Sequence, residues 1–259
     1  MKNKILLIIG VFYVTFSFAQ NADELNSQSK ELLTQRDYEK ALPILRKSAE
    51  LGNAEAQYNL GYFLQNGVGI AKNENEAFEW YKKSSLNGFN DGHYAMMMAY
   101  GNGIGAEVSS EKAFEYALKC ANNNDATCMW NVINCYKQGL GITKDTNKML
   151  EWATKLSLLE NPGNLNLSGK ITSTRLSLAY MYRDADCVEK DYYESYIWFL
   201  IYNEFKKDFS ITQQNQIIEE IKTAESKITA KQLNSAKVDA EKIFRRKLTN
   251  SENLYKADF

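Results

Sequence analysis

A fixed period of 36 residues runs through most of this chain, and it restricts the fold more than any other feature of the sequence. Self-similarity at that interval means that one supersecondary unit is stacked on copies of itself. The segment Ala54-Glu-Ala-Gln-Tyr-Asn-Leu-Gly61 leads into Gln65-Asn-Gly67-Val-Gly69, then Ala77-Phe-Glu-Trp80-Tyr81, Ser84-Ser85 and Gly88. A shift of 36 recovers Tyr94, Met96, Asn102-Gly103-Ile-Gly105, Ala113, Tyr116 and Cys120-Ala121. A second shift of 36 gives Trp130, Val132, Gln138-Gly139-Leu-Gly141, Met149 and Trp152. A fourth copy stands 118 residues after the first, with Leu178-Ala179 on Leu60-Gly61, Ser195 on Ala77 and Trp198-Phe199 on Trp80-Tyr81. Three periods leave ten residues over, and the turn-rich Asn161-Pro-Gly-Asn-Leu-Asn-Leu-Ser-Gly169 is the expected insert. Upstream, Ala41, Ile44-Leu45, Ser48-Ala49 and Gly52 stand one period before Ala77, Trp80-Tyr81, Ser84-Ser85 and Gly88, with Gln35-Arg36-Asp37 as a tight turn.

Each copy reads as two antiparallel helices. Residues 56, 60, 61 and 64 share one face of the first, and Ala77, Trp80, Tyr81, Ser84 and Ser85 form the opposing stripe of the second. Gly67 and Gly69 fit the turn between them, and Gly88 fits the left-handed residue after the second helix. One hairpin cannot bury its apolar face alone, so the expected fold is all-α: an α/α superhelical solenoid of helix-turn-helix repeats with a C-terminal helical cap. Only two prolines interrupt the chain. The expected divisions are a first repeat at 22–52, repeats at 53–88, 89–124, 125–160 and 171–205, an insertion at 161–170, and a cap and tail at 206–259.

In the cap, Ser210-Ile-Thr-Gln213 and Thr229-Ala-Lys-Gln232 read as capping boxes of two longer helices. Their apolar stripes are Ile217, Ile218, Ile221, Ala224 and Ile228, then Leu233, Ala236, Ala240, Ile243 and Phe244. Arg245-Arg246-Lys247 sits where a helix C-terminus favours cations.

At the other end, Lys2 and Lys4 precede an apolar run from Ile5 to Phe18, and Ser17-Phe18-Ala19 is followed by polar residues. This pattern predicts a signal peptide over 1–19 cleaved after Ala19, hence a periplasmic or secreted chain; an uncleaved N-terminal anchor is the alternative. No later stretch is apolar enough to cross a membrane. With 31 basic and 32 acidic residues the net charge is −1, which gives no field to draw nucleic acid.

The repeat grammar closely resembles the SEL-like repeat family, related to tetratricopeptide repeats, over roughly Ala22 to Phe205. Copy three departs from it at Val132-Ile133, where Leu-Gly is expected, and copy four replaces the paired glycines by Asp184-Ala-Asp-Cys187. The resemblance implies a scaffold or adaptor that binds a protein or peptide, with no fixed catalytic residues and no cofactor or metal. It also implies a disulfide between Cys120 and Cys128, because secreted cysteine-rich members use the same C-x7-C spacing; two buried free thiols are the alternative. Cys135 is expected as a buried free thiol and Cys187 lies in a loop, with a Cys135–Cys187 bridge as the other arrangement.

Within that frame, the concave face lined by first helices is the expected binding surface. Asn59, Tyr62, Met98, Asn131, Asn134, Tyr180 and Arg183 lie between core positions there and vary from copy to copy. The array is expected to be a monomer. A cell-wall hydrolase or penicillin-binding, β-lactamase-like activity, as claimed for cysteine-rich relatives, is the competing reading. Ser27/Lys30 and Ser109/Lys112 match its Ser-x-x-Lys motif, but neither has the accompanying Ser-Asp-Asn or Lys-Thr-Gly. His93 is the only histidine and is expected on the surface. Gly101-Asn-Gly103-Ile-Gly105 follows no strand and reads as the repeat's own turn.

Overall fold

Polar caps recur with the same period as the apolar residues. Asp37, Asn73, Ser109 and Asp145 each accept a backbone N–H from the residue three positions on, which starts a helix at the next residue. Asp191 does the same ten residues out of register. In the computed structural model, which describes residues 21–208 and 214–257, the elements are helical throughout, and no strand occurs among the described residues. The expected signal peptide and the Ser210–Gln213 box lie outside the described residues. The chain forms two compact units, one of residues up to 123 with 140–142, the other of 124–139 with 143 onward.

The first unit holds three hairpins in succession: α1 (21–34) with α2 (Tyr38–Glu50), α3 (Ala54–Asn66) with α4 (Glu74–Leu86), and α5 (Asn90–Asn102) with α6 (Ser110–Ala121). Each helix packs on its neighbours in sequence, the arrangement of an α/α solenoid. Its core takes Leu42, Leu45 and Ala49 from α2, Ala56, Leu60 and Leu64 from α3, Ala77, Trp80 and Tyr81 from α4, and Ala95, Met96 and Ala99 from α5. The small residues in the stripes also serve as fasteners: Ser48 Oγ donates to the Ala22 carbonyl at 2.6 Å and Ser84 Oγ to the Ala54 carbonyl at 2.7 Å, one period apart.

The turn between paired helices is a docking device. In it the second glycine seats on the first residue of the preceding second helix. A Cβ at Gly105 would lie 2.2 Å from the Glu74 carbonyl oxygen, and one at Gly141 would lie 2.0 Å from that of Ser110. Both have positive φ, +65° and +70°, so the backbone conformation and the close approach each demand glycine.

The second unit contains α7 (Ala126–Gln138) with α8 (Thr146–Ser157), α9 (Leu165–Asp184) with α10 (Tyr192–Asn203), and then α11 (Gln214–Glu225) and α12 (Ala230–Phe244), both packed on α10. Here the structure differs from the expected turn-rich insert. The chain turns only up to Asn164, which caps α9, so Leu165 to Lys170 add turns to the front of a helix of 20 residues. Copy four keeps the loop of the others despite losing both glycines. Ala185 and Cys187 take φ +61° and +69°, and Asp191 N–H donates to the Tyr182 carbonyl at 2.9 Å, as Asn73 does to Leu64 and Ser109 to Tyr100. Non-glycine residues in the left-handed region cost about 1 kcal/mol. Ala185→Gly is therefore expected to stabilise the protein by roughly 0.5–1 kcal/mol, read as a rise in Tm.

Thr229 and Gln232 form the expected reciprocal capping box on α12. On that helix Ala236, Ala240 and Phe244 are buried, but Leu233 is 38% exposed, one turn before the first buried position. The C-terminal segment is tied back onto α10: Asn203 and Asn250 exchange amide bonds at 2.7 Å, and Glu204 accepts from the backbone N–H groups of Thr249 and Asn250.

Candidate interaction surface

One recurring position on the first helices of the repeats is occupied by Tyr62, Met98, Asn134 and Tyr180. In the first unit, Tyr62 on α3 is 49% exposed and Met98 on α5 is 37% exposed, while Asn59 is half-buried. Tyr62 meets Phe63 edge-on at 5.9 Å, which holds its base while the phenol faces out. One turn further on, Asn66 and Asn102 donate to the carbonyls of Tyr62 and Met98 at 2.8 and 3.1 Å.

In the second unit, Asn131 and Asn134 on α7 are half-buried, and their amides donate to the Thr127 and Trp130 carbonyls at 2.9 and 3.0 Å. Trp130 beside them is 41% exposed. It occupies the position of Tyr58 and Tyr94, where an aromatic residue is part of the repeat pattern itself and so gives no separate sign of a contact residue.

Tyr180 and Arg183 on α9 are engaged within the unit. The Arg183 guanidinium lies 4.5 Å over the Tyr180 ring, bonds Asp184 at 2.7 Å through two nitrogens, and reaches Glu220 of α11 at 3.3 Å. Burial first, then the bond to Glu220, pushes the Tyr180 hydroxyl above its ordinary range.

Cys120 and Cys128 are joined by a disulfide and both are fully buried. Its place follows from the repeat: one period earlier these positions are Ser84 and Gly92, where a Cβ on Gly92 would stand 2.6 Å from Ser84 Oγ. Cys135 is half-buried and Cys187 exposed, both free, so they do not bridge. The sulfurs of Cys120 and Cys128 lie with the Asp125 carboxylate within 4.8 Å of one another. The disulfide occupies both sulfurs, and Asp125 caps α7 through the Cys128 N–H at 2.8 Å.

The residues considered for catalysis have structural partners. Ser109 Oγ accepts from the Lys112 N–H at 3.3 Å as the cap of α6, and the Lys112 ammonium lies 5.0 Å from the Tyr100 ring. Ser27 donates to the Asp23 carbonyl, and Lys30 pairs with Glu55 at 2.7 Å. His93 is half-buried where exposure was expected, because its repeat position faces the end of the preceding second helix. Its Nδ1 is 2.7 Å from Ser85 Oγ, and burial, then Lys119, lowers its pKa.

That same position gives the most deeply buried charge in the second unit. Gln57, His93 and Met129 are followed by Arg175, which is fully buried. Its Nε donates to the Ser157 carbonyl at 2.8 Å, Nη2 to the Leu159 carbonyl at 2.9 Å and Nη1 to Asn161 Oδ1 at 2.7 Å. Phe205 and Phe244 cover it at 4.7 and 5.1 Å. Burial, and next the Arg246 charge, push its pKa down to about 9, against the pull of Asp208 and Glu204, so it is charged at neutral pH.

Helical pairs that succeed one another in a fixed register, each packed on the next, define a helical repeat protein. The Sel1 repeat profile matches five segments, residues 30–53, 54–89, 92–125, 129–161 and 174–201, in the same register as the hairpins. The chain belongs to the Sel1 repeat family. The crystal structure of a Sel1 repeat protein from Oxalobacter formigenes is similar over 85% of this chain and 88% of its own, with a TM-score of 0.60 and 23% identity, and supports the fold. A protective antigen of uropathogenic Escherichia coli displaying an SLR fold aligns over 94% of this chain and 61% of its own, with a TM-score of 0.38 and 21% identity.

Proposed function

We propose that this chain is an exported adaptor that binds a protein or peptide through the first-helix, concave face of its repeat array, with residues 206–259 closing the array. The observation that carries this reading is the exposure of Tyr62 and Met98 at one repeat position in the first unit. Large amphipathic side chains left in water at a recurring position are the usual anchors of a protein contact. Asn59 in the first unit, and Asn131 and Asn134 in the second, hold matching first-helix positions of their repeats, while Tyr180 and Arg183 serve the docking of α11. Repeats of this family act as interaction scaffolds. The apolar N-terminal run and the oxidised Cys120–Cys128 pair support a periplasmic or extracellular site of action.

The test is recovery of partners from envelope extract by the purified chain. Tyr62→Ala with Met98→Ala is expected to lower recovery of the bound partner at least tenfold at unchanged Tm, because truncating an anchor costs roughly 1–2 kcal/mol or more. Equal recovery by the variant and the parent would remove the first-helix face from the account.

A further inference from the structure

A cleft of about 490 Å³ opens in the second unit between the end of α8, the start of α10 and the end of α12. The described residues that line it belong to α8, α10 and α12 or follow them directly, and none is on a first helix. Its walls carry charges of both signs that do not meet. Glu194, in the first turn of α10, is half-buried, and among the described residues no cation lies within ion-pairing distance of it. The charges that act on it are the carboxylates of Asp191 and Asp239. Asp239 on α12 is oriented by the Tyr193 hydroxyl, which donates to it and stands 2.8 Å from Ser235 Oγ. Further along α12, Lys242 and Arg245 line the same cleft, are exposed and, among the described residues, form no ion pair.

A half-buried carboxylate with a second acid beside it and no counter-ion is costly to leave out of water, whereas exposed Lys242 and Arg245 stay hydrated and available. Asp239 and Lys242 are three residues apart on one helix, where an ion pair forms readily, yet here none is made. The cleft is also lined by the apolar side chains of Leu158, Ile197 and Ile243. The volume is that of a small-molecule site.

We propose that this cleft binds a small zwitterion, whose ammonium group sits on Glu194 and Asp239 and whose carboxylate meets Lys242 and Arg245. The alkyl part between the two charges lies along Leu158, Ile197 and Ile243. An ammonium placed there supplies the counter-ion Glu194 lacks through charge-assisted hydrogen bonds. Burial first, then Asp191 and Asp239, raises the Glu194 pKa, so acidification neutralises it before the exposed carboxylates and weakens binding.

Calorimetric titration of the full chain with ε-aminocaproate, hexylamine and hexanoate tests this, because the three share one alkyl chain and differ only in charge. At neutral pH ε-aminocaproate is expected to bind about tenfold or more tightly than either singly charged compound. Glu194→Gln and Arg245→Ala are each expected to lose most of that advantage, and Glu219→Gln, on the exposed face of α11, to keep it. Binding of hexylamine as tight as that of ε-aminocaproate would overturn the zwitterion assignment. Absence of ε-aminocaproate binding to a chain with an intact helical spectrum would overturn the site itself.

Discussion

Arg175→Ala is expected to cost about 3–5 kcal/mol and to lower Tm by roughly 10 °C, the largest loss expected from any single substitution in the second unit. Two effects combine. The variant leaves the Ser157 and Leu159 carbonyls and Asn161 Oδ1 without their donor in a buried place. It also opens a cavity beneath Phe205 and Phe244. The damage then spreads through Asn161, whose amide nitrogen has two hydrogens to share among Ser168 Oγ at 2.6 Å, Asp208 Oδ2 at 2.7 Å and Thr172 Oγ1 at 2.9 Å. Arg175→Met separates the two effects, since it fills the volume without donating. Thermal unfolding followed by circular dichroism checks both variants. If Arg175→Met melts with the parent protein, the hydrogen bonds contribute nothing and the side chain acts as filler.

The second large effect is expected at Gly105. An alanine Cβ there would lie 2.2 Å from the Glu74 carbonyl oxygen and 2.8 Å from Phe78 Cβ, at φ +65°. Neither contact is with the free end of a flexible side chain, so the turn must lift from α4. The expected loss is about 3 kcal/mol or more, made up of the left-handed conformation and the lost docking. Gly103→Ala is the control: its φ is also positive, at +75°, but its Cβ would meet only Val108 Cγ2 at 3.2 Å and the Ala106 carbonyl at 3.5 Å. It should lose about 1 kcal/mol, the conformational part alone. Denaturant midpoints for the pair measure the difference, and equal losses would mean that the second glycine is needed only for its φ.

The helical pairs were legible because burial on one face of a helix writes itself into sequence at fixed spacing. Ala56, Leu60, Gly61 and Leu64 are all buried, and so are Ala77, Trp80, Tyr81, Ser84 and Ser85. The second-helix starts carried a signal that apolar periodicity does not weigh, the Asp, Asn or Ser at 37, 73, 109 and 145. Asn164 is the same kind of signal, and it marks Leu165 as the start of α9 inside a stretch whose Asn, Pro and Gly content read as a turn. The loop of copy four was hidden for another reason. Its docking contacts, with Cys187 set against Thr146 at the start of α8, hold Ala185 and Cys187 in a conformation their own preferences oppose. Arg175 could not be read as buried, since its charge and its repeat position, that of His93, both placed it outside; the structure shows Gln57 at that position buried as well. The interaction surface is the least legible part. Tyr62 and Tyr180 share a repeat position, and only the location of Glu220 on α11 separates an exposed side chain from one engaged inside the unit.

Site-specific photo-crosslinking tests the binding account most directly. A benzoylphenylalanine placed at Tyr62, on the first-helix face, is expected to capture a discrete partner in envelope extract. The same group at Glu79, exposed on the second helix α4, is expected to capture none. Capture from Glu79 and not from Tyr62 would place the working surface on the opposite helices and contradict the account.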